Sequence, residues 1–349
     1  MPSNPVVAVA GATGAVGREM LLALEQLQFP AREVRALASA RSVGTKLPYS
    51  GPGAPASGEL IVEEMTNDSF AGVDIALFSA GAARSEEFAP AVVAHGAVMV
   101  DNSSAFRMRD DVPLVVPEVN PEDVKWHSGI IANPNCSTIQ MVVALAPLHK
   151  LAPIKRVVVS TYQSTSGAGA AGMQELYDQT RAFLSDEPFE PEAFAHQIAF
   201  NCIPQIDVFL DDLSTKEEWK MVVETKKILH APAIEVAATC VRIPILRAHS
   251  EAINVEFDEG ALAAAGRPAP TLAEIRTALE SGPGIVVIDD PENKRYPMPF
   301  DAISTDEVFV GRIREDATVP SGVAFWCVAD QLRKGAALNT VQIAATLLV

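Results

Sequence analysis

The chain has 349 residues, 48% hydrophobic and 20% charged, which is enough apolar material for two globular cores and unlike a disordered chain. Its 27 Lys and Arg against 44 Asp and Glu give a net charge of -17, a surface that repels phosphate backbones and anionic lipid heads, so neither nucleic acid nor membrane is expected as a partner. Its four cysteines (Cys136, Cys202, Cys240 and Cys327) form no CxxC pair and no zinc-ligand spacing with histidine, so no disulfide framework and no metal are expected.

The N-terminus runs straight into a strand rather than a basic, then apolar, leader, and no apolar run approaches a membrane span of ~18 residues; a cytoplasmic setting is expected. Residues 6–10 read as a buried strand, 11–17 as a glycine-rich turn, 18–28 as a helix with Met20, Leu21, Leu24 and Leu27 on one face, and 34–38 as a second strand. Strands at 73–79, 98–101, 114–116 and 130–132, with a helix over 85–95, continue the alternation and predict a parallel doubly wound sheet. The pattern changes near Asn133. A helix over 137–151 is followed by strands at 157–162, 235–241, 252–257, 285–288, 308–313 and 322–328, a strand-dense region with few helices that suggests a mixed sheet. Helical period returns from residue 329. The expected class is therefore α/β: a Rossmann-type dinucleotide-binding domain over 1–133, an α+β catalytic and dimerisation domain with a mixed sheet over 134–328, and a C-terminal helix over 329–349 that returns to the first domain.

Gly11-x-x-Gly14-x-x-Gly17 follows a strand and opens a helix. Glycine there allows positive φ and close backbone approach, and the helix N-terminus offers N–H groups to a pyrophosphate. Thr13, Ala15 and Val16 lie in the same turn. An NAD site usually carries Asp or Glu at the end of the second strand; this chain has Ser39-Ala40-Arg41-Ser42, whose hydroxyls and guanidinium suit a 2′-phosphate and favour NADP. Cys136, in Asn-Pro-Asn-Cys-Ser-Thr, sits at a helix start, where the helix dipole favours the nucleophilic thiolate.

Gly-Ala-Thr-Gly-Ala-Val-Gly at 11–17, Asn-Ser-Ser-Ala-Phe-Arg at 102–107, Pro-Asn-Cys-Ser-Thr at 134–138, Tyr-Gln-Ser-Thr-Ser-Gly-Ala-Gly at 162–169 and Arg-Ile-Pro-Ile-Leu-Arg-Ala-His at 242–249 together resemble the aspartate-semialdehyde dehydrogenase family. Segments 199–207 and 309–314 fit as well, so the resemblance runs in order along essentially the whole chain. It implies NADPH-dependent reduction of aspartyl-4-phosphate to aspartate semialdehyde with release of phosphate, a step toward lysine (through diaminopimelate), threonine, methionine and isoleucine. It implies Cys136 as the nucleophile that forms a thioester, His249 as the general acid/base that takes the thiol proton, and Gln163 as the group orienting the thioester oxygen. Arg242 would hold the substrate carboxylate and Glu217 its ammonium, Arg107 and Lys220 the phosphate, with Asn135 beside them. Ser166, Gly167 and Gln331 would approach the cofactor. Read without the family, Glu217 and Lys220 are an i,i+3 ion pair on a helix surface. The family assembles as a homodimer or homotetramer through its second domain. Two alternatives remain: N-acetyl-gamma-glutamyl-phosphate reductase, whose acylated substrate nitrogen would leave Glu217 without a purpose, and a non-catalytic paralogue, which would have no reason to keep Cys136, His249 and Arg242 together.

Overall fold

A computed structural model describes residues 1–348. Contacts divide the chain into two units, one of residues 1–135 joined by the C-terminal stretch from Gly335, the other of residues 136–334.

The first unit opens with β1 (Val6–Ala10), α1 (Ala15–Gln26) and β2 (Glu33–Ala38), followed by the short strands β3 (Lys46–Pro48), β4 (Glu59–Ile61) and β5 (Glu63–Glu64). It continues with β6 (Ile75–Phe78), α2 (Ala82–Ala94), β7 (Val98–Asp101) and β8 (Ile130–Ala132). The six-stranded sheet has the order β5-β2-β1-β6-β7-β8, parallel at every pairing. Its central strands β1, β6 and β7 are buried on both faces, which is why they read as nearly unbroken apolar runs rather than alternating ones. Val7, Val9, Leu77 and Val100 of the sheet share a core with Met20 and Leu24 of α1 and with Val341 and Ala344 near the C-terminus. The expected strand at 114–116 is a single bridge, Leu114 to Ala132. Pro113 and Pro117 bracket it, and proline has no N–H to extend a ladder. The β3–β4 hairpin, half exposed with only Leu47 and Leu60 buried, was not expected.

The second unit starts with α3 (Cys136–Leu151), β9 (Ile154–Gln163), α4 (Gly169–Leu184), α5 (Lys216–Ile228), β10 (Glu235–Arg242) and β11 (His249–Phe257). Then come α6 (Glu259–Ala264), α7 (Leu272–Glu280), β12 (Ile285–Val287), α8 (Pro299–Ala302), β13 (Val308–Glu315) and β14 (Gly322–Ala329). The last element, α9 (Leu338–Thr346), belongs to the first unit, where it packs on α1. The second sheet is mixed, in the order β10-β9-β11-β14-β13-β12, with parallel pairs only at its two edges. The helices of this unit are more numerous than its strand-dense sequence suggested. Two of them, α5 and α7, begin with capping boxes, Thr215 with Glu218 and Thr271 with Glu274. One sheet face is buried: Val157, Val159, Thr161 and Gln163 of β9 are covered, while Val158, Ser160 and Tyr162 between them are more open. Among the described residues no helix is long and apolar enough to cross a membrane, and no cluster of three or more His, Cys, Asp or Glu could hold a metal ion.

Candidate active site

The glycine-rich turn between β1 and α1 has steric reasons for two of its glycines. Gly11 has φ of 85°, and a Cβ there would lie 2.3 Å from the Ser79 carbonyl oxygen. A Cβ on Gly17 would lie 2.1 Å from the Gly11 oxygen, so this residue lets α1 close on the turn. Gly14 caps α1 without a side-chain acceptor, leaving the first N–H groups of the helix for a ligand. A cavity of about 530 Å³ follows the turn, lined by Gly11, Thr13, Gly14, Ser39 and Arg41, with Arg84 and Glu64 added. Ser42 lies in the same short helical turn as Arg41, Ala15 opens α1, and Val16 packs partly against the core. A glycine cradle under a helix N-terminus fits the pyrophosphate of a dinucleotide. In the same unit Arg107 is buried, its Nε donating to the Asn133 carbonyl at 2.9 Å and Nη2 to the Asn102 carbonyl at 3.0 Å. Asn133 is itself held by Asn102 at 2.7 Å and Asn339 at 2.7 Å, so the strand end leading to the buried Asn135 is fixed.

In the second unit, strand register builds a polar row on the buried sheet face. Arg242 of β10 pairs with Gln163 of β9, Tyr162 pairs with Ser250 so that Gln163 adjoins His249 of β11, and His249 pairs with Ala329 of β14. Arg242, Gln163 and His249 are 6%, 1% and 0% exposed, so their charges and hydrogen bonds act with little screening by water. Cys136 opens α3, within electrostatic reach of Arg242. The helix N-terminus and the guanidinium thus both present positive potential to the sulphur. Burial lowers the pKa of the Arg242 guanidinium, while Glu217 and Cys136 oppose the shift.

Ser164, which sequence reasoning passed over, connects these groups. Its N–H donates to His249 Nδ1 at 3.1 Å, its Oγ lies 3.0 Å from the same nitrogen, and its carbonyl accepts from Arg242 Nη1 at 2.5 Å. A ring nitrogen that accepts a peptide N–H carries no proton, so the neutral ring is protonated on Nε2. The weaker opposing contact is Gln163 Nε2, 3.4 Å from His249 Nε2. Burial first, and Arg242 second, push the His249 pKa down to about 3, with the Ala248 backbone acting the other way. Ser164 Oγ also meets Ser166 Oγ at 3.0 Å, and Ser166 bonds Gln331, whose Oε1 accepts from the Ala248 N–H at 2.8 Å. Gln331 therefore pins the residue before His249, which has φ of 71°. Gly167 closes the turn: a Cβ there would stand 2.7 Å from Arg242 Nη1 and 3.5 Å from His249 Nε2.

Glu217 and Lys220 are not a solvated pair. Their side chains are 7% and 12% exposed at 3.2 Å, Glu217 Oε1 accepts from Gln163 Nε2 at 3.1 Å, and Lys220 also binds Asp207 at 2.7 Å. Asp207, with φ of 68°, is a further member of this group that carried no assigned role. Burial would raise its pKa, but the hydrogen bonds from Lys220 and from the Val208 N–H, with the charges of Lys220 and Lys216, together lower it. Thr161 completes it by donating to Gln163 Oε1 at 3.0 Å. His127 and His149 each accept a nearby backbone N–H at Nδ1, from Gly129 at 3.0 Å and Ile154 at 3.1 Å, as structural histidines do.

Two family descriptions match the chain: semialdehyde dehydrogenase, NAD binding domain, over residues 6–127, and semialdehyde dehydrogenase, dimerisation domain, over residues 145–334. The chain is 51% identical to an aspartate-semialdehyde dehydrogenase of Bacillus subtilis, covering 98% of this chain and 96% of that one. It is 52% identical to one of Aquifex aeolicus, covering 98% and 97%. Among solved structures, aspartate semialdehyde dehydrogenase II of Vibrio cholerae complexed with ASA superposes with a TM-score of 0.92 at 45% identity, covering 99% of this chain and 98% of that one. The Candida albicans enzyme with NADP gives 0.74 at 26% identity, covering 99% and 100%.

Proposed function

The chain belongs to the aspartate-semialdehyde dehydrogenase family, and on that premise we propose that it converts L-aspartyl-4-phosphate to L-aspartate 4-semialdehyde through a thioester on Cys136, with NADPH as reductant. The observation that carries this reading is the buried row of Arg242, Gln163 and His249 on the sheet, with Cys136 within electrostatic reach of Arg242 at the start of α3.

The roles follow from the chemistry of each group. Cys136 Sγ bonds the acyl carbon as the carbon–oxygen bond to phosphate breaks, and phosphate leaves with the electron pair. Bound NADPH supplies the hydride that reduces the thioester. Collapse of the hemithioacetal returns the sulphur and frees the aldehyde. Gln163 and His249 border the place where negative oxygen develops, and both are held by hydrogen bonds before substrate arrives. Arg242 is the fork for the α-carboxylate, and Glu217 is the acceptor for the ammonium. Lys220 and Arg107, with Asn135, are the groups for phosphate. In the first unit, an NAD(P)-binding domain, Arg41 with Ser39 and Ser42 favours NADP, while Gly11, Thr13, Gly14, Ala15 and Val16 form the pyrophosphate turn. Ser166, Gly167 and Gln331 support the nicotinamide end.

The more open face of the second sheet, where Tyr162 and Trp326 meet at 5.2 Å between ring centroids, is proposed to cover its counterpart in a homodimer, consistent with a dimerisation domain. The deciding experiment follows NADPH formation from aspartate semialdehyde, phosphate and NADP, with Cys136→Ala as control. Turnover that needs both phosphate and Cys136 supports the assignment. Turnover with N-acetyl-glutamate semialdehyde instead transfers it to N-acetyl-gamma-glutamyl-phosphate reductase, and no turnover with either in a folded protein sinks it.

A further inference from the structure

Two buried hydroxyls link Gln331 to His249, and the direction in which they donate is fixed at both ends. Ser164, Ser166, Gln331 and His249 are each at most 2% exposed. Their polar atoms follow one another in a line: Gln331 Nε2 to Ser166 Oγ, Ser166 Oγ to Ser164 Oγ at 3.0 Å, and Ser164 Oγ to His249 Nδ1 at 3.0 Å. A hydroxyl has a single proton to donate, so fixing one contact of such a line fixes the next.

A peptide N–H sets each end. At one, the Ser164 N–H donates to His249 Nδ1 at 3.1 Å, which makes that nitrogen an acceptor, and the Ser164 hydroxyl must donate to it as well. With its proton spent, Ser164 Oγ accepts from Ser166, and Ser166 Oγ in turn accepts from Gln331. At the other end, the Ala248 N–H donates to Gln331 Oε1 at 2.8 Å, which turns the amide nitrogen, a donor, toward Ser166. The two ends are set by different peptide groups and demand the same direction, from Gln331 through Ser166 and Ser164 to His249. Turning the imidazole over would set a carbon against both Ser164 donors, and turning the amide over would set a donor against the Ala248 N–H.

With Nδ1 as acceptor, the neutral ring carries its proton on Nε2. Gln163 Nε2 lies 3.4 Å from that nitrogen, and the Gln163 amide is also oriented, its Oε1 taken by Thr161 and its Nε2 donating to Glu217. Both nitrogens are therefore donors. They do not bond each other, and together they suit a third atom, an oxygen that turns negative as the acyl carbon becomes tetrahedral. Nε2 in this state has no lone pair to receive the thiol proton.

We propose that Ser166 is a positioning residue: with Ser164 and Gln331 it forms a one-way chain of hydrogen bonds that keeps His249 a donor to the substrate oxygen rather than the acceptor of the Cys136 proton. Cys136 then enters and leaves as the thiolate, and the one proton that the overall reaction consumes passes from solution to the departing phosphate. Successive hydrogen bonds polarise one another, so a cut at Ser166 weakens the donation at Nδ1. The inference rests on the proposed thioester reaction and gives Ser166 and Gln331 a task beyond the nicotinamide end.

Ser164→Ala, Ser166→Ala and the double variant test it. The nitrogen resonance of His249 Nδ1 is recorded in histidine-labelled protein without cofactor, with His249→Asn to identify it, and kcat and KM for NADP are measured beside it. Ser164→Ala removes the hydroxyl donor and keeps the peptide one. Its Nδ1 resonance should move toward that of an unbonded lone pair, and kcat should fall about 3- to 10-fold. Ser166→Ala should move the resonance the same way by less, with a smaller loss of kcat. The double variant should match Ser164→Ala within about 2-fold, because without that hydroxyl the rest of the chain delivers nothing to the ring. Ser166→Cys, with its weaker donor, takes the place of Ser166→Ala if the latter does not fold. A Ser166 variant with the parent's resonance and only a raised KM for NADP would overturn the proposal and leave Ser166 a cofactor contact. Additive losses in the double variant, or a proton on Nδ1 of the parent, would overturn it as well. Absence of turnover in the parent would instead indict the proposed reaction, while the resonances would still decide the direction of the chain.

Discussion

Gly167→Ala presses one methyl group chiefly against the Arg242 fork. Gly167 does not need positive φ and lies in a short helical turn, so alanine is compatible with its backbone. The added Cβ would meet Arg242 Nη1 at 2.7 Å, whereas ordinary contact begins at 3.4 Å. The guanidinium must therefore retreat by about 0.7 Å, and it is buried and tied to the Ser164 carbonyl at 2.5 Å. Weakening one hydrogen bond to a buried charge costs about 1.5–3 kcal/mol, which corresponds to about 10- to 150-fold in kcat/KM. His249 Nε2, at 3.5 Å from the new carbon, need not move. The loss should thus appear as a raised KM for aspartate semialdehyde, together with a lowered melting temperature, because the Ser164 bond is already made in the free protein. Initial rates in the phosphate-dependent direction measure it. A Gly167→Ala enzyme within 2-fold of the parent in kcat/KM (~0.4 kcal/mol) would show that Arg242 is not the carboxylate fork.

Other outcomes follow from the same geometry. Arg242→Lys removes the bidentate fork while keeping the charge, and should reduce kcat/KM by on the order of 100-fold; activity near that of the parent would contradict the assignment. Nitrogen NMR of labelled histidine should show His249 neutral, with its proton on Nε2, at every pH where the protein is folded and active; a protonated Nδ1 would refute the Ser164 contact. His249 has a folded pKa of about 3 against 6.5 for the free side chain, so the unfolded chain binds the extra proton between these values. Stability should fall with acidification below pH 6.5 by up to about 1.4 kcal/mol per unit from this group. His249→Asn should flatten the upper part of that slope, before the carboxylates titrate, and denaturant titrations from pH 6.5 to about 5 would detect it.

Much of this architecture was legible in local pattern. The buried apolar strand, the glycine turn that cannot accept a Cβ and the helix after it are contiguous, so residues 6–26 define their own geometry. The same holds for Cys136, whose place at a helix start depends only on the residues beside it. The capping boxes at Thr215 and Thr271 were equally local signals for helices that apolar periodicity had left unmarked. The row of Arg242, Gln163 and His249 is of another kind. Gln163 and His249 are 86 residues apart, and only the pairing of β9 with β10 and β11 places them side by side. A shift of that register by one residue would turn each side chain to the other face, and no short stretch of sequence specifies which register wins. Ser164 was invisible for the same reason: it acts mainly through its backbone, on groups that the strand pairing brings to it. The sequence by itself determined which chemical groups are available and on which elements they ride. Tertiary structure alone decided which of them share a dry space, because burial and strand register are properties of the assembled sheet.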